Sequence, residues 1–147
     1  PWALSWDDEN YYLIAFDSQE DKIKHFRVDK MLHIGMTDEK REGKKCFQEF
    51  DMAVYARKMF GMFGGEEETV KIECDNALAG VMIDRFGKDI TFIKKDNGHF
   101  TVNVKVAVSR QFLAWVMALG EEAKIIGPES VIVRMNAEID RLVRQYR

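Results

Sequence analysis

What this chain can fold into is constrained most by residues 11 to 34. Tyr11-Tyr12-Leu13-Ile14-Ala15-Phe16 is an unbroken run of aromatic, branched and small apolar residues without Gly or Pro, the composition of a buried strand. Asp17-Ser18-Gln19-Glu20-Asp21 follows as a solvated turn. From Ile23 to Val28 the chain alternates, with Lys24, Phe26 and Val28 on one face and Ile23, His25 and Arg27 on the other. This pattern predicts that Phe26 and Val28 face the core. Arg27 is then held on the opposite face by a rigid strand, with Lys30 just past a bend at Asp29. Two strands joined by a short turn form a hairpin, and fixed cations beside tyrosines suit an anion or a stacked base.

These residues also carry a resemblance. Tyr11 to Asp17 resembles the motif that names the WYL domain, with Tyr11 at the tryptophan position. Lys24-His25-Phe26-Arg27-Val28-Asp29-Lys30-Met31 resembles that family's second signature, with Lys30 where arginine is usual, and Pro1 to Leu4 resembles the Pro-x-x-Leu ahead of the first motif. The family consists of bacterial transcriptional regulators, usually with an N-terminal winged helix-turn-helix. The resemblance implies a small Sm-like or SH3-like β-barrel that senses a ligand, in some members a nucleic acid. It favours Tyr12 as a stacking ring and Arg27 and Lys30 as ligand cations, and His25 shares the Arg27 face as a hydrogen-bonding group. Read without the resemblance, either tyrosine is more readily a core residue than a stacking ring, and Arg27 and Lys30 are equally surface cations paired with Asp29 or an acid from the loops. Lysine at position 30 lacks the planar fork of arginine.

The family's barrel has a strand before the proline, so the sequence reads as the C-terminal part of a longer regulator, with a barrel that lacks its first strand. No helix-turn-helix fits what is given, and duplex DNA would be reached only through such a missing domain. An open strand edge invites pairing with another chain, so a homodimer is expected.

Composition narrows the function. A net charge of −3 does not suit bulk electrostatic binding of nucleic acid, so any polyanion site is a local patch. No apolar run approaches the ~20 residues that span a bilayer, and the N-terminus is not a signal peptide. A cytoplasmic protein without membrane partners is expected. Cys46 and Cys74 have no CxxC spacing and read as reduced thiols. His25, His33 and His99 are scattered, and no HExxH, GxSxG, P-loop or GxGxxG occurs, so no catalysis, metal or cofactor is expected.

Along the chain, Trp2 to Trp6 alternates as a strand, and Leu32, Ile34 and Met36 continue as another. Phe47 to Phe60 has helical period and ends at Gly61, Gly64 and Gly65. Glycines followed by Glu66-Glu67-Glu68 predict a boundary near residues 64 to 69, giving domains 1–64 and 65–147, with first proteolysis between Phe63 and Thr69. The second half reads strand (Val70 to Cys74), helix (Ala77 to Phe86), strand (Asp89 to Lys94), an Asn97-Gly98 hairpin turn, strand (Phe100 to Val108), a helix capped by Ser109, strand (Ala123 to Ile126) and a last helix from Ser130. That is the ferredoxin-like order. Trp115 to Gly120, Gly127-Pro128 and the closing helix resemble the WCX extension that follows many WYL domains. Arg134, Arg141, Arg144 and Arg147 on the last helix read as a solvated face or as a second basic surface.

The expectation is an α+β chain, a partial Sm-like or SH3-like barrel followed by a ferredoxin-like α+β domain. Its expected role is effector sensing and dimerisation in a bacterial transcriptional regulator, with single-stranded nucleic acid or a small anion as ligand. The rivals are a purely structural oligomerisation module and direct binding of single-stranded nucleic acid as the end function.

Overall fold

A computed structural model describes residues 1–48, 50–62 and 64–147. The chain divides into two units, Pro1–Gly64 and Gly65–Arg147. Among the described residues no helix is long and apolar enough to cross a membrane.

In the first unit, β1 (Ala3–Asp7), β2 (Asn10–Asp17) and β3 (Lys22–Arg27) form an antiparallel sheet in the order β1-β2-β3. Asp8 and Glu9 make the first turn with φ of 43° and 61°, the left-handed backbone that a two-residue hairpin needs. The second turn is held by Asp17, whose Oδ1 accepts from the Gln19 N–H at 2.9 Å. A 3₁₀ turn, Val28–Lys30, follows β3. A short helix, α1 (Met52–Lys58), comes after a long irregular stretch. Gly43 has φ +77°, and a Cβ there would sit 2.3 Å from Phe16 Cγ, so both its backbone and its neighbour require glycine.

Where a partial barrel is expected, the described residues form an open three-stranded sheet. Other expectations are corrected in this unit. The covered face of the sheet is the one carrying Ser5, Ile14 and His25, while Leu4, Trp6, Tyr11 and Phe26 are exposed on the other. Phe26 is therefore no core residue, and Val28 leaves the strand for the 3₁₀ turn. The reason is tertiary: Tyr55 and the Met62 carbonyl come down on His25, and the Gly43 backbone comes down on Phe16. Leu32, Ile34 and Met36 form no strand; they stay exposed, with His33 at φ 56° breaking the extended run.

The helix expected over Phe47 to Phe60 is the shorter α1, preceded by a 3₁₀ turn at Lys44–Phe47; Glu49 lies outside the described residues. Asp51 sets its start, because its side chain accepts from the Ala53 and Val54 N–H groups at 2.8 and 3.2 Å. Aromatic rings pack as a chain instead, Trp2 stacked on Phe47 at 4.9 Å and Phe47 tilted against Phe50 at 4.8 Å.

The second unit runs β4 (Glu66–Asp75), α2 (Ala79–Phe86), β5 (Phe92–Lys94), β6 (His99–Val108), α3 (Arg110–Ala118), β7 (Ala123–Gly127) and α4 (Glu129–Tyr146). The strands pair antiparallel in the order β5-β6-β4-β7. Alternation explains β6: Phe100, Val102, Val104, Val106 and Val108 are buried while Asn103 and Lys105 are exposed. With Val70, Ile72, Met82, Phe112 and Val131 they form the core, and each such side chain stabilises by roughly 1.5–3 kcal/mol on full burial. Ser109 Oγ accepts from the Phe112 N–H at 3.3 Å and starts α3. The Asp96 carboxylate tightens the hairpin turn by accepting from the Gly98 and His99 N–H groups at 2.7 and 2.8 Å.

Glu66-Glu67-Glu68 is not a linker but the first part of β4, paired with Val108, Ala107 and Val106. Gly65 lies so close to the end of β6 that a Cβ on it would be 2.3 Å from the Val108 carbonyl oxygen. The same oxygen accepts from Arg134 Nη2 at 2.9 Å.

Candidate anion-binding site

The expected site residues all lie in the first unit, and the register of β2 against β3 decides which of them meet. Tyr12 is paired with Arg27, and Ile14 with His25. Residues directly opposite in a sheet share a face, so Tyr12 and Arg27 are neighbours on it. Tyr11 points to the opposite face, where its ring meets Trp6 edge-on at 4.7 Å.

Arg27 is the best-organised cation. Its Nε donates to Asp29 Oδ1 at 3.0 Å and its Nη2 to Asp29 Oδ2 at 2.8 Å, a two-point fork, while Nη2 also donates to Asn10 Oδ1 at 2.7 Å. The pair remains open to water, with side chains 40% and 50% exposed. The hydrogen bonds from Arg27 hold the Asp29 carboxyl below its ordinary range, and they keep the guanidinium charged. Lys30 stands beside them, Nζ 3.8 Å from Asp29 Oδ2, with its side chain 72% exposed.

His25 belongs to a different arrangement. Its Nδ1 is 2.6 Å from the Met62 carbonyl oxygen and its Nε2 is 2.7 Å from the Tyr55 hydroxyl. Both ring nitrogens are therefore engaged by the chain itself, and in this conformation neither is offered to a ligand. The site thus gathers Tyr12, Arg27 and Lys30, with His25 as a strut beneath the same face. Asn10 was not picked out by sequence reasoning. The period of two was the available signal, since Asn10 and Tyr12 share a face of β2 and the guanidinium of Arg27 reaches across to it.

In the second unit the arginines of α4 divide. Arg134 is tied to the Val108 carbonyl and to Glu68, and Arg141 to Glu138 and Gln145. Those bonds hold the helix to itself and to the sheet. Among the described residues no group of three His, Cys, Asp or Glu side chains could hold a metal ion.

Comparison with known proteins adds the following. Residues 66–143 match the WCX domain, and residues 1–36 match the WYL domain. A solved structure, the proteasome accessory factor B/C (PafBC) of Arthrobacter aurescens, is similar at 20% identity with a TM-score of 0.47, over 98% of this chain and 22% of that one. This chain therefore spans about a fifth of that protein's length. Among curated protein sequences none matches.

Proposed function

This chain belongs to the WCX domain family, with a WYL domain ahead of the WCX domain, and from that premise we propose that it is the effector-sensing and dimerising region of a bacterial transcriptional regulator acting in the cytoplasm. The ligand is a small anion or a single-stranded nucleic acid, taken by Arg27 and Lys30 with Tyr12 as the adjoining ring. One observation carries this reading: an arginine fork and an exposed lysine on one side of a half-exposed carboxylate, next to a tyrosine on the same face. Dimerisation would use the open strand edge of the first unit, and the second unit is read as ferredoxin-like from its strand order. No catalytic step belongs to this role. A ligand would act by binding one arrangement of the dimer more tightly, and a DNA-binding domain elsewhere in the regulator would read the difference.

The test is a fluorescence-anisotropy titration of short oligonucleotides at two salt concentrations. Charge-assisted hydrogen bonds contribute ~1.5–3 kcal/mol each, and a stacked base on Tyr12 roughly 1–3 kcal/mol. Arg27→Ala with Lys30→Ala should weaken binding at least about tenfold and flatten its salt dependence with the fold intact. Absence of wild-type binding to oligonucleotides, nucleotides and other small anions would overturn the reading.

The second reading is a structural oligomerisation module. It is favoured by the internal pairing of Arg27 with Asp29 and of His25 with Tyr55. Light scattering that shows a dimer without any anion binding would put it ahead.

A further inference from the structure

Arg27 does not present an empty fork. Asp29, two residues along the chain, lays one oxygen on Nε and the other on Nη2, and its Oδ2 also lies nearest Lys30. This is the two-point pattern by which a guanidinium holds any planar or tetrahedral oxyanion. We propose that Asp29 is a resident placeholder in the anion site and sets its selectivity, yielding to phosphate-type dianions and not to simple carboxylates. The proposal rests on the reading of Arg27 as a ligand-binding residue and deepens it.

The argument is one of matched competition. A carboxylate from solution offers the same group that Asp29 offers, but Asp29 is tethered by a three-residue 3₁₀ turn and returns at high effective concentration. A carboxylate ligand therefore gains little. A phosphate dianion brings a second charge and a third oxygen. Lys30, 72% exposed and already 3.8 Å from the carboxylate, is placed to take that oxygen. Displacing Asp29 is cheap because its side chain is half exposed and an exposed ion pair is weak. Asn10 keeps its bond from Nη2 meanwhile, so the guanidinium stays aimed.

The alternative is a plain surface pair that shapes the bend after β3. Asp8 separates the two, because its negative charge acts on Arg27 through space without a hydrogen bond in the fork. The experiment follows the Arg27 Nε–H resonance of the purified chain during titration with inorganic pyrophosphate and, separately, acetate. Wild type, Asp29→Asn, Asp29→Ser and Asp8→Asn are compared, with circular dichroism as the check on folding.

Pyrophosphate should shift the wild-type resonance to saturation, and acetate should not. Both Asp29 variants should bind pyrophosphate about threefold tighter or more, the scale that freeing an exposed ion pair allows, and should begin to respond to acetate. Asp8→Asn should move the pyrophosphate affinity less and leave acetate silent. If wild type binds pyrophosphate but the Asp29 variants bind it no tighter, or if Asp8→Asn has the same effect, the placeholder is overturned and the anion site stands. If no form binds pyrophosphate saturably, the anion reading falls and takes the placeholder with it.

Discussion

The hydroxyl of Tyr55 lies 2.7 Å from Nε2 of His25, a hydrogen bond across thirty residues of chain. The Met62 carbonyl at Nδ1 can only accept, so Nδ1 carries a proton, and in that tautomer Nε2 accepts from the Tyr55 hydroxyl. The bond ties α1 to β3, so it belongs to the stability of the first unit.

Tyr55→Phe keeps the ring and removes the donor. Leaving a part-buried acceptor without its partner should destabilise the first unit by about 1 kcal/mol. Urea unfolding followed at Trp2 and Trp6 should show the lower midpoint, in a background where Trp115, which belongs to the second unit, is replaced by Phe. An unchanged midpoint would show that the bond contributes nothing net.

Glu138 on α4 is shared by two arginines. Arg110 Nε and Arg141 Nε each donate to it at 2.7 Å, and its side chain is only 17% exposed. The hydrogen bonds from Arg141 first, then Arg110, hold its carboxyl below the ordinary value of 4.5. A depressed carboxyl supplies its stability above 4.5 and loses it as pH falls through the lower folded value. Thermal unfolding of the second unit should therefore fall more steeply below pH 4.5 in wild type than in Glu138→Gln, which cannot titrate. Parallel pH profiles would count against the bridge.

Burial pushes the Cys74 thiol up to about 11, whereas Cys46 is exposed. At pH 8 a thiol reagent should label one cysteine of the folded chain within minutes and the second only on unfolding, with Cys74 located as the slow site by peptide mass. Because the folded value is raised, the second unit should also lose stability as pH climbs from 9.0 toward 11. Fast labelling of both sites would contradict the packing of β4.

The sequence pattern places the first proteolytic cut between Phe63 and Thr69. Phe63 lies outside the described residues, and Glu66 to Thr69 are paired with Val108 to Lys105 in the sheet. Cleavage should therefore fall ahead of Glu66, leaving a resistant fragment that contains β4 whole. Mass spectrometry of the fragment's N-terminus reads the result, and early cuts inside Phe100 to Val108 would defeat it.

Legibility differed between the halves for a physical reason. In the second unit the signals are local. Five alternate apolar residues define β6, and Ser109 caps the helix that starts beside it. The hairpin turn falls where Asp96-Asn97-Gly98 predicts it, but neither Asn97 nor Gly98 takes positive φ, and the Asp96 carboxylate holds the turn instead. In the first unit the deciding contacts are distant. Alternation separated Phe26 from His25, but only Tyr55 and Met62 determine that the histidine face is the covered one. Asp51 was a local signal passed over: an Asp just before Met52-Ala53-Val54 marks a helix start, and it shortens the helix that periodicity alone extends. At the site, Tyr12, Arg27 and Lys30 were visible as residue types, whereas the fork of Asp29 and the reach of Asn10 required the register.

Gly65 has a mechanical consequence. The chain passes into β4 with Gly65, the residue just before the strand, against the last carbonyl of β6, an oxygen also gripped by Arg134, and β4 then runs ten residues alongside β6. A pull on residue 65 along the strand would load those rungs together, in shear, and would not peel them one at a time. The joint at the head of this unit is therefore stiff in tension, so a displacement delivered there would reach the middle of the sheet before it is absorbed.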